Sequence, residues 1–312
     1  MTAGEFLKTA RDEMQAAGNP DAVWDAEILL CEALGCEKSR LRFRLGEELT
    51  EDGLQRLEKW LARRISGEPL AYVLGNTYFM GLRFLCDPRA LIPRQDTETL
   101  AEEAIRALAG KSRPRVLDLC CGTGCVGLSI AKYVPGAQLT LSDLSADALS
   151  LAGENARTLG VAADLRQGDL FETVRGETFD LIACNPPYLT GQDMTELQTE
   201  VRREPALALF GGEDGLAFYR RLANEAWAYL NPGGALLAEC GRGQAGDVAR
   251  LFQAIGETRI VRDLCNIDRV IQVGSADCHM LPVGSADSHL LPVGSADCHL
   301  LPRILSTTVG RH

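Results

Sequence analysis

The apolar positions of the chain change their period twice, and the changes divide it. Up to about residue 70 they recur at helical spacing. "AVWDAEILLCEALG" (22–35) sets Val23, Ala26, Ile28, Leu29, Leu30, Ala33 and Leu34 mostly three and four apart, and Gly35 suits the helix end. "TEDGLQRLEKWLARRISG" (50–67) repeats the period through Leu54, Leu57, Trp60, Leu61 and Ile65, with Thr50 placed to cap it. A small helical domain is expected over 1–70. From 71 to 97 aromatic and aliphatic residues are punctuated by Gly and Pro in "YVLGNTYFMGLRFLCDPRALIPRQDT", which predicts a hairpin or irregular linker. Helix is expected again over "TETLAEEAIRALAG" (97–110), with Thr97 as the candidate cap and acids in the first turn.

Beyond residue 114 short apolar runs alternate with helical periods. Strands are predicted at 115–121, 138–144, 164–169, 179–185, 234–241, 258–264 and 269–274, with helices over 125–134, 145–160, 215–230 and 244–256. This alternation implies an α/β fold: a doubly wound, mainly parallel seven-stranded sheet over about 98–272, behind a small N-terminal helical domain. In such sheets ligands bind beyond the carboxyl ends of the strands.

The remainder, 273–312, is of a different kind. "VGSADCHMLP", "VGSADSHLLP" and "VGSADCHLLP" are near-identical decapeptides. Each offers at most one Cys-His pair, ten residues from the next, where closed metal sites place two ligands on one tight loop. A low-complexity, poorly ordered tail with no metal is expected.

Composition narrows the partners. The formal net charge of -11 argues against general affinity for nucleic acid, which needs clustered Lys and Arg. No run reaches the roughly 18 apolar residues that cross a bilayer, and "MTAGEFLKTARDEMQ" lacks the apolar core of a signal peptide. A cytoplasmic protein with no membrane role and reduced thiols is expected despite the 11 cysteines. The histidines, His279, His289, His299 and His312, all lie in the tail, so a histidine base would have to come from there.

Candidate chemistry begins at "VLDLCCGTGCVG". Gly122, Gly124 and Gly127 have the G-x-G-x-x-G spacing between a strand and a helix, which lets a cofactor approach the backbone without saying which cofactor. Asp118, in the preceding strand, would repel a pyrophosphate and attract a cationic group. Asp143, ending the second strand, suits two ribose hydroxyls, and Asp169, ending the third, an adenine amino group. Three acids at successive strand ends favour an adenosine bearing a cationic amino acid, S-adenosylmethionine, over a nicotinamide dinucleotide. Cys120, Cys121 and Cys125 read as small loop residues, since a metal there would obstruct the loop.

The fourth strand ends in "FDLIACNPPYLT" (179–190), across the switch point from the glycine loop. A planar amide or aromatic amine is a poor nucleophile because its lone pair is delocalised. The side-chain oxygen of Asn185 and the backbone oxygen of Pro186 can each accept one of its N–H groups and aim the lone pair at a methyl donor. Tyr188 can pack on the flat acceptor. The motif itself does not distinguish a glutamine from a nucleic-acid base amine.

"NPPY" together with "VLDLCCGTGCVGLSIA" resembles the class I S-adenosylmethionine-dependent methyltransferases that act on planar nitrogen. "GEPLAYVLGNTYFMGLRF", "LIPRQDTETL", "EPALALFGGEDGLAFYRRL", "GGALLAECGRGQ" and "DLCNIDRVI" narrow the resemblance to the peptide chain release factor glutamine N5-methyltransferases, from the N-terminus to about 272. The resemblance implies methyl transfer to the glutamine of a Gly-Gly-Gln motif, with S-adenosylhomocysteine as product and the helical domain gripping the protein substrate. It implies that Cys120, Cys121, Gly122, Thr123, Gly124, Asp143, Leu170 and Asn185 line the cofactor, and that Asn185, Pro186, Pro187 and Tyr188 hold the glutamine. Two positions depart from the family pattern: Cys120 stands where a glycine is usual, and Gln95 where a proline is usual.

Overall fold

A computed structural model describes residues 1–253 and 255–274, which fall into two compact units divided at Leu74/Gly75. The decapeptide repeats beyond Gly274, and the disorder expected of them, lie outside the described residues.

The first unit is helical: α1 (Ala3–Ala16), α2 (Ala22–Leu34), α3 (Lys38–Leu41), α4 (Glu51–Ile65) and α5 (Leu70–Leu74). Its helix ends follow local chemistry. Thr2 and Glu5 form a reciprocal capping box on α1. The Thr50 hydroxyl accepts from the Gly53 N–H at 3.1 Å, and Gly35 ends α2 at φ 60°, a left-handed conformation that a glycine adopts freely. Phe6, Met14, Leu29, Leu30 and Leu57 fill the core between the helices. Arg64 Nε meets Asp25 Oδ2 at 2.6 Å inside this unit, each side chain 3% exposed, and Asn19 donates to the same oxygen at 2.8 Å.

The second unit opens with an antiparallel hairpin, β1 (Asn76–Phe79) and β2 (Leu82–Leu85), within the stretch expected as a hairpin or linker. Then come α6 (Glu98–Ala107), β3 (Arg115–Leu119), α7 (Cys125–Tyr133), β4 (Gln138–Asp143), α8 (Ala146–Leu159), β5 (Ala163–Gln167) and β6 (Phe179–Cys184). The unit continues with α9 (Gly191–Thr195), α10 (Ala217–Glu225), β7 (Leu230–Glu239), α11 (Ala245–Phe252), β8 (Glu257–Arg262) and β9 (Asp268–Gly274). The seven-stranded sheet has the order β5-β4-β3-β6-β7-β9-β8; β5 through β7 are parallel and β9 runs antiparallel to both its neighbours.

The period of two along each strand assigns its side chains to two cores. Val116, Leu139, Leu141 and Leu181 face one side with residues of α6, α7 and α8, and Leu117, Leu119, Ile182 and Leu236 face the other with residues of α10 and α11. The crossover after β3 leads to β4 on one side and the one after β6 leads to β7 on the other, so the switch point lies between the carboxyl ends of β3 and β6.

Two local expectations change. The helix predicted over 215–230 is α10 followed by a 3-10 turn at Ala226–Tyr229, after which β7 begins. Thr97 does not cap α6 with its side chain: a 3-10 turn over Gln95–Thr97 already puts its backbone in the right-handed helical region, and the hydroxyl is directed elsewhere.

Candidate active site

A cavity opens at the switch point, walled by the loops after β3, β4, β5 and β6 and by the segment 89–94. Of the residues expected at the cofactor, Asp118, Cys120, Cys121, Gly122, Thr123, Asp143, Asp169, Leu170 and Asn185 line it, and Gly124 does not. Gly124 is instead the left-handed N-cap of α7, where a Cβ would lie 3.0 Å from Leu128 and 3.2 Å from Leu141. Gly127 is likewise a packing residue, since its Cβ would meet Leu141 at 2.6 Å and the Asp118 carboxylate at 2.9 Å.

The loop is held by its own acids. The Gly122 N–H donates to Asp143 Oδ2 at 2.9 Å and the Ser145 N–H to Oδ1 at 2.9 Å, while the Gly127 N–H donates to Asp118 Oδ2 at 2.8 Å. Burial pushes Asp118 up to about 7, against the pull of the Gly127 hydrogen bond, and it raises Asp143 as well. Asp169 lies past the end of β5 and pairs with Arg221 at 3.0 Å, a partner the sequence did not suggest. Burial pushes the Cys125 thiol up to about 12 and raises Cys121 too, so both are held protonated as small apolar side chains.

Two of the five non-glycine residues at positive φ among the described residues line the cavity. Cys120 and Leu170 sit at φ 55° and 46°, in the left-handed region that costs a residue with a Cβ about 1–2 kcal/mol. The usual glycine at the position of Cys120 has this physical reason.

The Asn-Pro-Pro-Tyr motif is only partly on the cavity wall. Asn185 and Pro187 line it; Pro186 and Tyr188 do not. Tyr188 packs against the core under α10 and α11, where burial raises its phenol, and its backbone oxygen accepts from Gln244 Nε2 at 3.0 Å. The chain after the motif is clamped by Leu189, whose N–H donates to Leu209 O at 2.9 Å and whose oxygen accepts from Gly211 at 2.8 Å. Only glycine fits at 211, because a Cβ would lie 2.6 Å from the Pro187 oxygen.

Several site residues escaped the motif reading. Ile92, Pro93, Arg94 and Thr97 line the cavity from the segment before α6. Glu204, from a distant loop, anchors this segment: it accepts from the Ile92 N–H at 3.0 Å and pairs with Arg94. Thr97 is buried, and its hydroxyl accepts from Asn185 Nδ2 at 3.3 Å. Glu239, at the end of β7 beside β6, is 1% exposed and pushed up to about 7 by burial, against the opposing pull of the Thr97 hydroxyl. The sequence signal for these residues was the quoted "LIPRQDTETL", "EPALALFGGEDGLAFYRRL" and "GGALLAECGRGQ", which carry resemblance without stating a role.

Comparison with known proteins agrees with this geometry. The family described as PrmC N-terminal domain matches residues 5–75, and the methyltransferase small domain matches residues 97–209. The release factor glutamine methyltransferase of Geobacter sulfurreducens is 40% identical over 273 residues, covering 86% of this chain and 95% of that one. The enzyme of the same name from Cereibacter sphaeroides is 40% identical over 276 residues, covering 87% and 98%. Among solved structures, the catalytic domain of hMettl16 superposes with a TM-score of 0.51 at 13% identity, covering 75% of this chain and 85% of that one, a likeness of fold alone. The nicotinamide alternative that the glycine spacing left open does not survive these matches. With a seven-stranded sheet, a glycine loop beneath three strand-end acids and an asparagine at the switch point, the chain belongs to the release factor glutamine methyltransferase family.

Proposed function

We propose that this protein transfers a methyl group from S-adenosylmethionine to the side-chain amide nitrogen of the glutamine in the Gly-Gly-Gln motif of peptide chain release factors. The observation that carries the reading is the Asn185 side chain on the wall that also holds the glycine loop, its nitrogen donated to Thr97 and its oxygen therefore presented as an acceptor.

The cavity suits the donor. Thr123 Oγ1 is buried on this wall without a hydrogen-bond partner among the described residues, a polar atom that a ligand can satisfy. Asp118, Asp143 and Asp169 would hold a cationic amino acid, a ribose and an adenine in turn, around the backbone left open by Gly122. When bound, S-adenosylmethionine supplies a methyl group already activated on a sulfonium. Asn185 Oδ1 and the Pro186 backbone oxygen would each accept one N–H of the glutamine amide, fixing its plane and the direction of the nitrogen lone pair. Pro187 closes the wall behind them, and Tyr188 supports the motif from the core side. The helical unit would contribute grip on the release factor. The acidic net charge disfavours a nucleic-acid acceptor, and no helix among the described residues is long and apolar enough to cross a membrane. We place the protein in the cytoplasm, where release factors act.

Incubation with methyl-labelled S-adenosylmethionine and purified release factor should label the Gly-Gly-Gln peptide, read by mass spectrometry. RNA, DNA and ribosomal-protein fractions run alongside identify any other acceptor. An unlabelled Gly-Gly-Gln peptide beside a labelled alternative would overturn the reading.

A further inference from the structure

The cavity wall carries two guanidinium groups, Arg89 and Arg94, as well as its acids. Each is matched to carboxylates standing off the wall. Arg89 pairs with Asp87 at 2.7 Å and with Glu154 at 2.6 Å, and Arg94 pairs with Glu204; none of these three acids lines the cavity. The acids on the wall itself are treated otherwise. Asp118 and Asp143 have no ion pair among the described residues, and accept from backbone N–H groups instead.

The Glu204 contact differs from those of Arg89 in its burial. The Asp87 and Glu154 side chains are 37% and 32% exposed, so water and salt screen them, whereas the Glu204 side chain is 1% exposed. Its two oxygens serve different groups. Oε2 accepts from the Ile92 N–H at 3.0 Å and Oε1 meets the Arg94 guanidinium, 112 and 110 residues away in the chain. Pro205, Leu207 and Ala208, just after Glu204, line the cavity, and Leu209 and Gly211 bond to Leu189 at the end of the Asn-Pro-Pro-Tyr motif. One carboxylate therefore ties the 92–94 segment to the loop that runs along that motif, and sets a negative charge against Arg94.

The charge matters because of the ligand. An arginine does not lose its proton in a protein. S-adenosylmethionine carries a sulfonium and S-adenosylhomocysteine a neutral thioether, so the two differ by one positive charge and one methyl group. An unmatched guanidinium on the wall would repel the first and leave the second nearly unaffected. We propose that Glu204 is a positioning residue of the cofactor site: it holds Arg94, cancels its charge, and so lets the cavity accept a sulfonium. The proposal rests on the cofactor of the function proposed above. Glu204 does not line the cavity, so it acts through Ile92 and Arg94.

Titration calorimetry with S-adenosylmethionine and with S-adenosylhomocysteine, in the absence of any acceptor, separates the tie from the charge. Glu204→Gln keeps an oxygen for the Ile92 N–H and removes the charge. It should weaken S-adenosylmethionine binding about 10-fold and S-adenosylhomocysteine binding by less than about 3-fold, the order of effect of one charge at the dielectric of a protein surface. Arg94→Gln removes the opposite charge and leaves the carboxylate, so the ratio of the two dissociation constants should move the other way. The double variant Glu204→Gln/Arg94→Gln should return the ratio to within about 3-fold of wild type. All three variants break the same tie, so a purely structural role would weaken both ligands together and leave the ratio where it is. A ratio unchanged in Glu204→Gln would overturn the proposal, as would two single variants that shift it in the same direction. If Glu204→Gln does not fold, Arg94→Gln decides: a ratio that stays put, or moves toward S-adenosylhomocysteine, overturns the proposal. A wild-type protein that binds S-adenosylmethionine yet leaves release factor unlabelled defeats the proposed acceptor and leaves the role of Glu204 standing, whereas one that does not bind S-adenosylmethionine defeats both.

Discussion

The helical unit buries Asp25 against a cation, and the sheet unit, which pairs Glu204 and Asp263 in the same way, leaves two deeper acids without one. In the helical unit Asp25 meets a guanidinium head-on: Arg64 Nε lies 2.6 Å away and Asn19 adds a second donor. In the sheet unit Asp118 and Glu239 are buried as deeply, at 2% and 1% exposure, yet neither has a direct ion pair among the described residues. Asp118 accepts one backbone N–H, Glu239 Oε2 has no hydrogen-bond partner among the described residues, and burial pushes both up to about 7. A matched buried pair fixes how helices pack. A buried acid without a cation is costly to the fold, and such groups gather where a ligand or a reaction gives them work. The contrast separates buried acids matched to a cation, which fix packing, from buried acids left without one at and beside the cavity.

The largest expected effect falls on the helical unit. Asp25→Ala leaves the Arg64 guanidinium buried without its counter-ion and should destabilise the protein by about 3–5 kcal/mol in chemical denaturation. The double variant Asp25→Leu/Arg64→Leu should recover most of that loss; a single variant within 1 kcal/mol of wild type, on the scale of about 0–1 kcal/mol for a surface pair, would erase the contrast. Next comes the site itself. Asn185→Ala should lower kcat by about 10²–10³-fold, or about 2.7–4 kcal/mol, the loss typical of one oriented hydrogen-bonding group at a reacting centre. Titration calorimetry should show S-adenosylmethionine binding largely kept, and equal loss of both would mean that Asn185 mainly supports the cofactor. The smallest effect is at the strained loop. Cys120→Gly relieves about 1–2 kcal/mol of left-handed strain against about 0.4–1 kcal/mol of added unfolded-state entropy. A net gain in Tm corresponding to about 0.5–1 kcal/mol is expected, and a lower Tm would show that the Cys120 side chain contributes packing that outweighs its backbone.

Much of the fold was legible because its signals are local. Helical spacing marked α2 and α4, Gly35 marked a C-terminus, and the alternation beyond residue 114 marked all seven strands of the sheet within a few residues. The glycine loop and the strand-end acids were legible for the same reason: a turn and a strand end each write their requirement into adjacent positions. Thr97 shows where that reasoning stops. A threonine before acids and a helix is a cap by local rules, but a preceding 3-10 turn leaves it no capping bond, and Asn185, 88 residues away just after β6, donates to its hydroxyl instead. Glu204 lay within a quoted stretch of resemblance, but nothing local in it pointed to Ile92, 112 residues away.

The sequence by itself determined the order of elements, the glycine loop between β3 and α7, and the Asn-Pro-Pro-Tyr motif directly after β6. These depend on spacing within a few residues, and short-range sterics fix them. Only the tertiary structure decided which way the Asn185 amide faces, that Tyr188 supports from the core side while Asn185 and Pro187 form the wall, and that the segment at 92–97 completes the site. Each of those depends on hydrogen bonds and packing between strands and loops far apart in the chain, which exist only once β3, β6 and β7 lie side by side.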